Sequence, residues 1–175
     1  MEGSGLSIKV SAVLITREAE WPRDARVDFD FDEVLVGTKS PNVFRRFELA
    51  MTARNDVVYV QDDDCSIDIE QLWRKYDGRL TNAQTPEHQR VYGGTGMTLI
   101  GWGAFFPKRL IDFSRWIARY GKVDQMECDR IFTFLAQPHN TIVMPIRQFT
   151  RPVRMCNQPG HYQVRDRLLT MLKEL

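Results

Sequence analysis

Short apolar runs divide the first part of the chain into segments of strand length. Ile8–Thr16 is mostly apolar and rich in β-branched residues, as expected of a buried parallel strand that helices cover on both faces. Glu33–Val36, which stops at Gly37, predicts a second strand, and Asp56–Gln61 predicts a third. We expect these strands to form the core of a sheet.

Apolar residues at helical spacing lie between the second and third strands. Ser40 is a suitable N-cap and Pro41 a suitable first residue for this helix. Its predicted apolar face consists of Val43, Phe47, Ala50 and Met51. Strand, helix and strand in succession indicate an α/β fold.

The rest of the chain mixes helical and β-like patterns. Ile69, Leu72, Trp73 and Tyr76 suit a short helix that closes near Gly78. Next come a glycine-punctuated β-like stretch at Arg90–Phe106 and a helix from Pro107 to Gly121. A helix capped at Asp124 follows, with an apolar face of Cys128, Ile131, Phe132 and Leu135. The chain then continues with a strand at Thr141–Ile146, a strand or loop at Arg147–Asn157, and a C-terminal helix carrying Leu168, Leu172 and Leu175.

Composition favours one compact domain over residues 1–175. Hydrophobic residues make up 43% of the 175 residues, enough for a core without disulfide or metal support. With 24 Lys and Arg against 23 Asp and Glu, the net charge is +1, so the overall charge gives no reason to expect a nucleic-acid or anionic-membrane partner.

Three widely spaced cysteines, Cys65, Cys128 and Cys156, lack the paired spacing of a zinc or redox motif and are expected to be reduced thiols. The sequence also lacks a signal-like N-terminus and an apolar run of membrane-spanning length. We therefore expect a cytoplasmic protein.

Three consecutive carboxylates, Asp62, Asp63 and Asp64, follow the third predicted strand directly. Like charges this close are costly unless a cation or hydrogen-bond donors compensate them, and ligands of open α/β sheets bind at the carboxyl ends of strands. A divalent cation bridging the carboxylates to a diphosphate is one interpretation. A solvated turn, with Asp64 or Ser66 capping the next helix, is the other.

Val58–Asp64 resembles the strand and DXD motif of GT-A glycosyltransferases, especially exostosin-like enzymes and small glycosyltransferase-like proteins of phages and actinobacteria. Other segments resemble pieces of that family in the same order. They are Thr16-Arg17 as a nucleotide-contacting turn, Val43–Phe47 near the nucleotide, Gly101–Phe106 as the acceptor-side strand, Glu127–Asp129 as the acidic motif beneath the sugar, and Gln158–Tyr162 with a late histidine.

The resemblance implies a compact GT-A fold with a mixed, mostly parallel sheet between helices. It also implies a nucleotide-sugar donor such as a UDP- or GDP-sugar, and Mn²⁺ or Mg²⁺ held by Asp64 and His161. The implied donor-binding residues are Thr16, Arg17, Arg46, Asp62, Asp63, Trp102, Gly103 and Arg165. The acceptor, whether protein, glycan, lipid or modified DNA base, stays open.

Asp129 is the implied catalytic residue, as a base in an inverting enzyme or a stabiliser of positive charge in a retaining one. Cys128 interrupts the acidic pair of the family motif, which weakens the case for Glu127 more than that for Asp129. Each role has a structural alternative: Asp129 as a salt-bridge partner, His161 as a surface residue, and Trp102 as core packing.

Two other functions compete with transfer of a sugar. A sugar-1-phosphate nucleotidyltransferase uses a related sheet, but Leu14–Glu20 lacks the glycine-rich phosphate loop expected after its first strand. A non-catalytic module that binds a sugar nucleotide or a glycan is also compatible with the sequence.

Overall fold

The computed structural model describes residues 9–38, 43–113, 116 and 127–150, and its centre is a six-stranded sheet. Its strands are β1 Val10–Ile15, β2 Glu33–Gly37, β3 Val57–Asp62, β5 Thr81–Gln84, β6 Ala104–Pro107 and β7 Asn140–Val143. They lie in the order β2-β1-β3-β6-β5-β7. β1 runs parallel to β2 and β3, and β5 runs parallel to β7. β6 is antiparallel to both of its neighbours, so the sheet is mixed but mostly parallel.

Helices flank this sheet, and a second, two-stranded sheet lies beside it. The helices are α1 Arg45–Thr52, α2 Ile69–Trp73, α3 Pro86–Tyr92 and α4 Cys128–Leu135, with one 3₁₀ turn at Lys108–Leu110. The small sheet pairs β4, Cys65–Ser66, with β8, Arg147–Gln148, in antiparallel register.

Side chains of the central strands alternate between two hydrophobic cores. Val58 and Val60 of β3 face one core, where α1 contributes Phe47 and α4 contributes Phe132. Tyr59, between them, faces the other core, which α2 and Phe105 complete. Both faces of the sheet are therefore covered, and the α/β class with flanking helices is confirmed.

The predicted strands and helices differ from the observed ones in several places. β1, β2 and β3 lie within two residues of the prediction. The β-like interpretation of Arg90–Phe106 is confirmed only at its end, because this stretch contains the end of α3, several turns and then the start of β6. β5 was not predicted. Pro107 ends β6 and is followed by the 3₁₀ turn, and Met51, expected inside, is 48% exposed.

Several predicted features lie outside the described residues: Ser40 and Pro41, Asp124, and the C-terminal helix. Within the ranges that the structure describes, none of the helices combines the length and the apolar character needed to cross a membrane.

Candidate functional site

The acidic segment emerges at the carboxyl end of β3 and is held by its backbone on both sides. The Asp62 amide donates to the carbonyl of Gly101 at 2.7 Å. Two residues later, the Asp64 carbonyl accepts from the Phe149 amide at 2.7 Å, next to the β4–β8 pair. Ile15 of β1 lies opposite Asp62, so the ends of two parallel strands meet here. This is the position at which open α/β sheets bind ligands.

A buried arginine from α1 joins two carboxylates from different parts of the chain. One terminal nitrogen of Arg46, Nη2, donates to both carboxylate oxygens of Asp62 at 2.6 and 2.8 Å. The other, Nη1, donates to both oxygens of Asp129 in α4 at 2.9 and 2.8 Å. The Arg46 side chain is 1% exposed, against 24% for Asp62 and 14% for Asp129. We call this group the Asp62–Arg46–Asp129 triad.

Gly101 leaves the space that the triad occupies. A Cβ atom on Gly101 would lie 2.3 Å from Asp62 Oδ2 and 3.4 Å from Arg46 Nη1. Any side chain at this position would therefore displace the Asp62 carboxylate. Packing against the triad thus explains the glycine at position 101, independently of the resemblance of Gly101–Phe106 to an acceptor-side strand.

One guanidinium faces a concentration of negative charge at this edge of the sheet. Burial by itself would lower the pKa of Arg46, but Asp129 and Asp62 raise it above its ordinary value. Burial also raises the pKa of Asp62, Arg46 opposes this, and Asp64, Asp129 and Asp63 raise it further, to about 7. The remaining carboxylates are thus close enough to Asp62 to disfavour its charge, and a further cation would relieve this repulsion.

The end of β1 contributes a hydroxyl to the same region. The buried Thr16 hydroxyl donates to Asp63 Oδ2, and it also accepts from the amide of Glu18 at 3.0 Å. The turn after β1 is therefore tied to the acidic segment. Arg17 follows Thr16 and is half-buried.

Trp102 and Gly103 follow Gly101 in the chain and have different surroundings. Gly103 has a φ of 117°, and a Cβ atom there would lie 2.4 Å from Ile67 Cδ1, so this position requires glycine. Trp102 is half-buried, and its ring meets the His88 ring of α3 edge-on, with 4.3 Å between centroids. It is not part of either hydrophobic core.

His161 and Arg165, predicted for metal and diphosphate binding, lie outside the described residues. Within the described ranges, no three His, Cys, Asp or Glu side chains come together as a metal-binding group. Hard oxygen donors are nevertheless concentrated here, and Mg²⁺ is usually held by one or two carboxylates together with substrate phosphates and water. The donor chemistry of Asp64 fits that arrangement.

The structure brings together Thr16, Arg46, Asp62, Asp63 and Asp129 from the predicted set. The triad is not visible in the sequence, because Arg46 and Asp129 are 83 positions apart and only the fold pairs them. A second buried ion pair, between Glu127 and Arg130, was not predicted either. Arg130 Nη2 donates to the hydroxyl of Tyr92 at 2.7 Å. The sequence could have indicated this pair, because Glu127 and Arg130 have opposite charges and stand three residues apart, the spacing of neighbours on a helix.

Two solved structures are similar to this chain over most of its length. One is the galactosyltransferase LgtC in complex with donor and acceptor sugar analogues, at 15% identity and a TM-score of 0.46, covering 94% of this chain and 96% of that one. The other is an active-site mutant of LgtC, at 14% identity and a TM-score of 0.49, covering 94% and 95%. No protein-family model and no curated protein matches the chain. At these identities and TM-scores, the function has to be derived from the chain's own residues.

Proposed function

We propose that this protein is a GT-A-type glycosyltransferase that moves a sugar from a nucleotide-sugar donor to an acceptor hydroxyl with the help of Mn²⁺ or Mg²⁺. The observation that carries the proposal is a cluster of carboxylates at the carboxyl ends of β1 and β3. Asp62 and Asp129 pair with the one buried guanidinium of Arg46, and Asp63 and Asp64 add their negative charge beside Asp62.

The charge of this group supports a cation-dependent diphosphate site. A diphosphate approaching four carboxylates would be repelled by them, and a divalent cation between the two reverses that repulsion. Asp64 would hold the metal, together with His161. The metal, when bound, would neutralise charge on the departing nucleoside diphosphate as a Lewis acid.

The nucleotide part of the donor would lie over the ends of β1 and β3. The hydrogen bond from Thr16 to Asp63 fixes both residues on the same side of the sheet edge. Thr16, Arg17 and the first two aspartates would contact the nucleotide, and Arg165 the diphosphate. Arg46 differs in kind from these residues, since it is buried behind Asp62 and acts by orienting that carboxylate.

Asp129 would act on the reacting sugar from the opposite side of Arg46. Both of its carboxylate oxygens accept hydrogen bonds from Arg46, and the Ile100 amide lies 3.4 Å from Oδ2. A carboxylate fixed in this way is oriented before substrate arrives, which is what charge stabilisation in a transition state requires.

Calorimetry with UDP- and GDP-sugars, with Mn²⁺ or with a chelator, tests the proposal. Donor binding should require metal and should be lost in Asp64→Ala. Glu70→Ala, an exposed acidic residue of α2, is the matched control and should bind normally. Equal donor affinity in chelator and in Mn²⁺ would contradict the proposal.

A transfer assay separates Asp129 from the donor site. Asp129→Asn should lower transfer about a hundredfold or more while donor affinity changes little, because its contribution belongs to the transition state. Unchanged turnover would leave Asp129 as a salt-bridge partner only.

Formation of a sugar nucleotide from sugar 1-phosphate and nucleoside triphosphate would favour the nucleotidyltransferase, and donor binding without turnover of any acceptor would favour a non-catalytic module.

A further inference from the structure

A polar cavity lies away from the acidic segment, on the α4 side of the sheet. It has a volume of about 380 Å³ and is bounded by the end of α3, the turn at Gly93–Gly96, and the segment that joins α4 to β7. Its polar wall is formed by Gln89, Tyr92, Thr98, Gln137, His139 and Thr141. We call it the α3–β7 pocket.

The wall of the α3–β7 pocket consists of uncharged hydrogen-bonding groups. Gln89 offers an amide that both donates and accepts, and Tyr92 offers a hydroxyl. Gln137 Nε2 already donates to the Gly96 carbonyl, and the Thr141 hydroxyl donates to Asn82 Oδ1 at 3.0 Å, so these two groups have acceptor capacity left for a ligand. Burial lowers the pKa of His139 below its ordinary value of 6.5, so the imidazole is neutral at neutral pH. His139 therefore lines the pocket as a neutral ring whose Nδ1 is fully buried.

The nearest charge behind the pocket is already compensated. Arg130 forms a buried ion pair with Glu127, and its guanidinium lies 5.4 Å from the centre of the Tyr92 ring. Arg90 of α3 is exposed and pairs with Glu87 at 3.7 Å. The described residues therefore give the pocket little net charge, in contrast to the acidic segment.

A row of aromatic rings connects the pocket to the triad. Trp102 follows Gly101, whose carbonyl accepts from the Asp62 amide at 2.7 Å. The Trp102 ring contacts the His88 ring at 4.3 Å, and the His88 ring stacks on the Tyr92 ring at 6.0 Å. All three rings are partly exposed, and Tyr92 is itself part of the pocket wall.

Helix α3 carries this row although it contributes nothing to either core. None of its residues is buried. The Thr85 hydroxyl caps it by accepting from the His88 amide at 3.3 Å, and the hydroxyl of Tyr92 receives the hydrogen bond from Arg130. Packing thus does not explain why a helix is placed here with two aromatic residues, one turn apart, facing Trp102 and the pocket.

We propose that the aromatic row and the α3–β7 pocket bind a neutral oligosaccharide, and that this oligosaccharide is the non-reacting part of the acceptor. The assignment as acceptor rests on the proposed transferase function. Sugar rings present a C–H face that packs on aromatic rings and a rim of hydroxyls that pair with amides and hydroxyls. The row offers the first kind of surface and the pocket offers the second.

Other classes of ligand fit this surface less well. A nucleic acid could stack on the rings, but its phosphates need cations, and Arg130 and Arg90 are both paired. A lipid chain needs a continuous apolar wall, whereas the pocket wall is mostly polar. An oligosaccharide uses the polar wall and the aromatic rings together.

The test is binding of the full chain to an array of neutral, sulfated and sialylated glycans, without donor and without metal. Neutral glycans of three or more sugar residues should bind best, and the strongest of them is then titrated by calorimetry. Trp102→Ala and Gln89→Ala should each weaken that binding about tenfold or less, as expected from the loss of one stacking or hydrogen-bonding contact. Val91→Ser, on the exposed side of α3, is the matched control and should bind as the unaltered chain does.

Gln89 is exposed, so Gln89→Ala keeps the test informative even if Trp102→Ala fails to fold. Absence of binding to any neutral glycan, with metal-dependent donor binding intact, would overturn this inference and leave the proposed function standing. Stronger binding of a single-stranded DNA oligonucleotide or of phosphatidylcholine vesicles, weakened by the same two substitutions, would also overturn it. Neutral-glycan binding that both substitutions weaken, with no donor binding under any condition, would support the glycan site while the transferase function fails.

Discussion

Replacing Arg46 by methionine tests the triad directly. The variant keeps much of the side-chain volume but leaves Asp62 and Asp129, at 24% and 14% exposure, facing each other without a cation. Removing one partner of a buried ion pair typically costs about 3–5 kcal/mol, because the remaining charge is left uncompensated. We expect a loss of that size in the free energy of unfolding at neutral pH.

Arg45→Met is the matched control, because Arg45 is the neighbouring residue and pairs with Glu48 on the surface. Both of these side chains are close to half exposed, at 49% and 46%. An exposed pair contributes at most about 1 kcal/mol. Urea denaturation of both variants, followed by circular dichroism, gives the two losses on the same scale.

Acid should reduce the loss in Arg46→Met. Burial and the neighbouring carboxylates raise the pKa of Asp62, and Arg46 opposes this rise. Without the guanidinium, Asp62 therefore holds its proton still more tightly in the folded state than in the unfolded state, so protonation favours folding. The difference from the unaltered chain should therefore narrow as the pH falls from neutral towards about 4. Adding Asp62→Asn and Asp129→Asn to Arg46→Met should recover part of the loss at neutral pH. If Arg46→Met and Arg45→Met lose equal stability, or if the loss is independent of pH, the triad is not the buried ionic group described above.

Two further predictions concern positions around the site. Gly101→Ala should lower the free energy of unfolding by about 1–3 kcal/mol, because the new Cβ would lie 2.3 Å from Asp62 Oδ2. In an Asp62→Ala background the same substitution should lower it by less. Equal losses in the two backgrounds would contradict this contact. The pKa of His139 is lowered by burial, so between that value and 6.5 the unfolded chain binds the proton and the folded chain does not. The free energy of unfolding should therefore fall as the pH drops below about 6.5. The urea midpoint of His139→Asn should depend less on pH in this range than that of the unaltered chain. Parallel pH profiles of the two midpoints would exclude the effect.

The sequence predicts the parts of the fold that rest on apolar runs. β1 has one polar residue among six, and β3 begins with four apolar residues; each is observed within two residues of its predicted bounds. β5 has the sequence Thr81-Asn82-Ala83-Gln84, and all four residues are buried. Its polar side chains find partners inside: Asn82 and Gln84 both donate to the Thr98 hydroxyl at 2.8 Å. Hydropathy cannot identify a strand whose burial depends on hydrogen bonds made by distant residues.

The candidate site, like the fold, has one part that the sequence predicts and one part that it does not. The run from Asp62 to Asp64 is visible in the sequence because the three residues are consecutive and follow an apolar strand. The burial of Arg46 is not visible, since an arginine next to another arginine on a helix is ordinarily expected in solvent. Only the packing of α1 and α4 on the same face of the sheet places Arg46 between Asp62 and Asp129.

The pairing of β4 with β8 means that the acidic segment and the central sheet can lose their structure separately. β4 and β8 have two residues each, and the Phe149 amide adds one hydrogen bond to Asp64. Breaking so few bonds requires far less free energy than unfolding the sheet, so this pair is the natural place for a local opening. Global denaturation would not detect that event. Hydrogen exchange at the Phe149 amide would, and it would report how often the loop carrying Asp63 and Asp64 is released while the triad behind it stays folded.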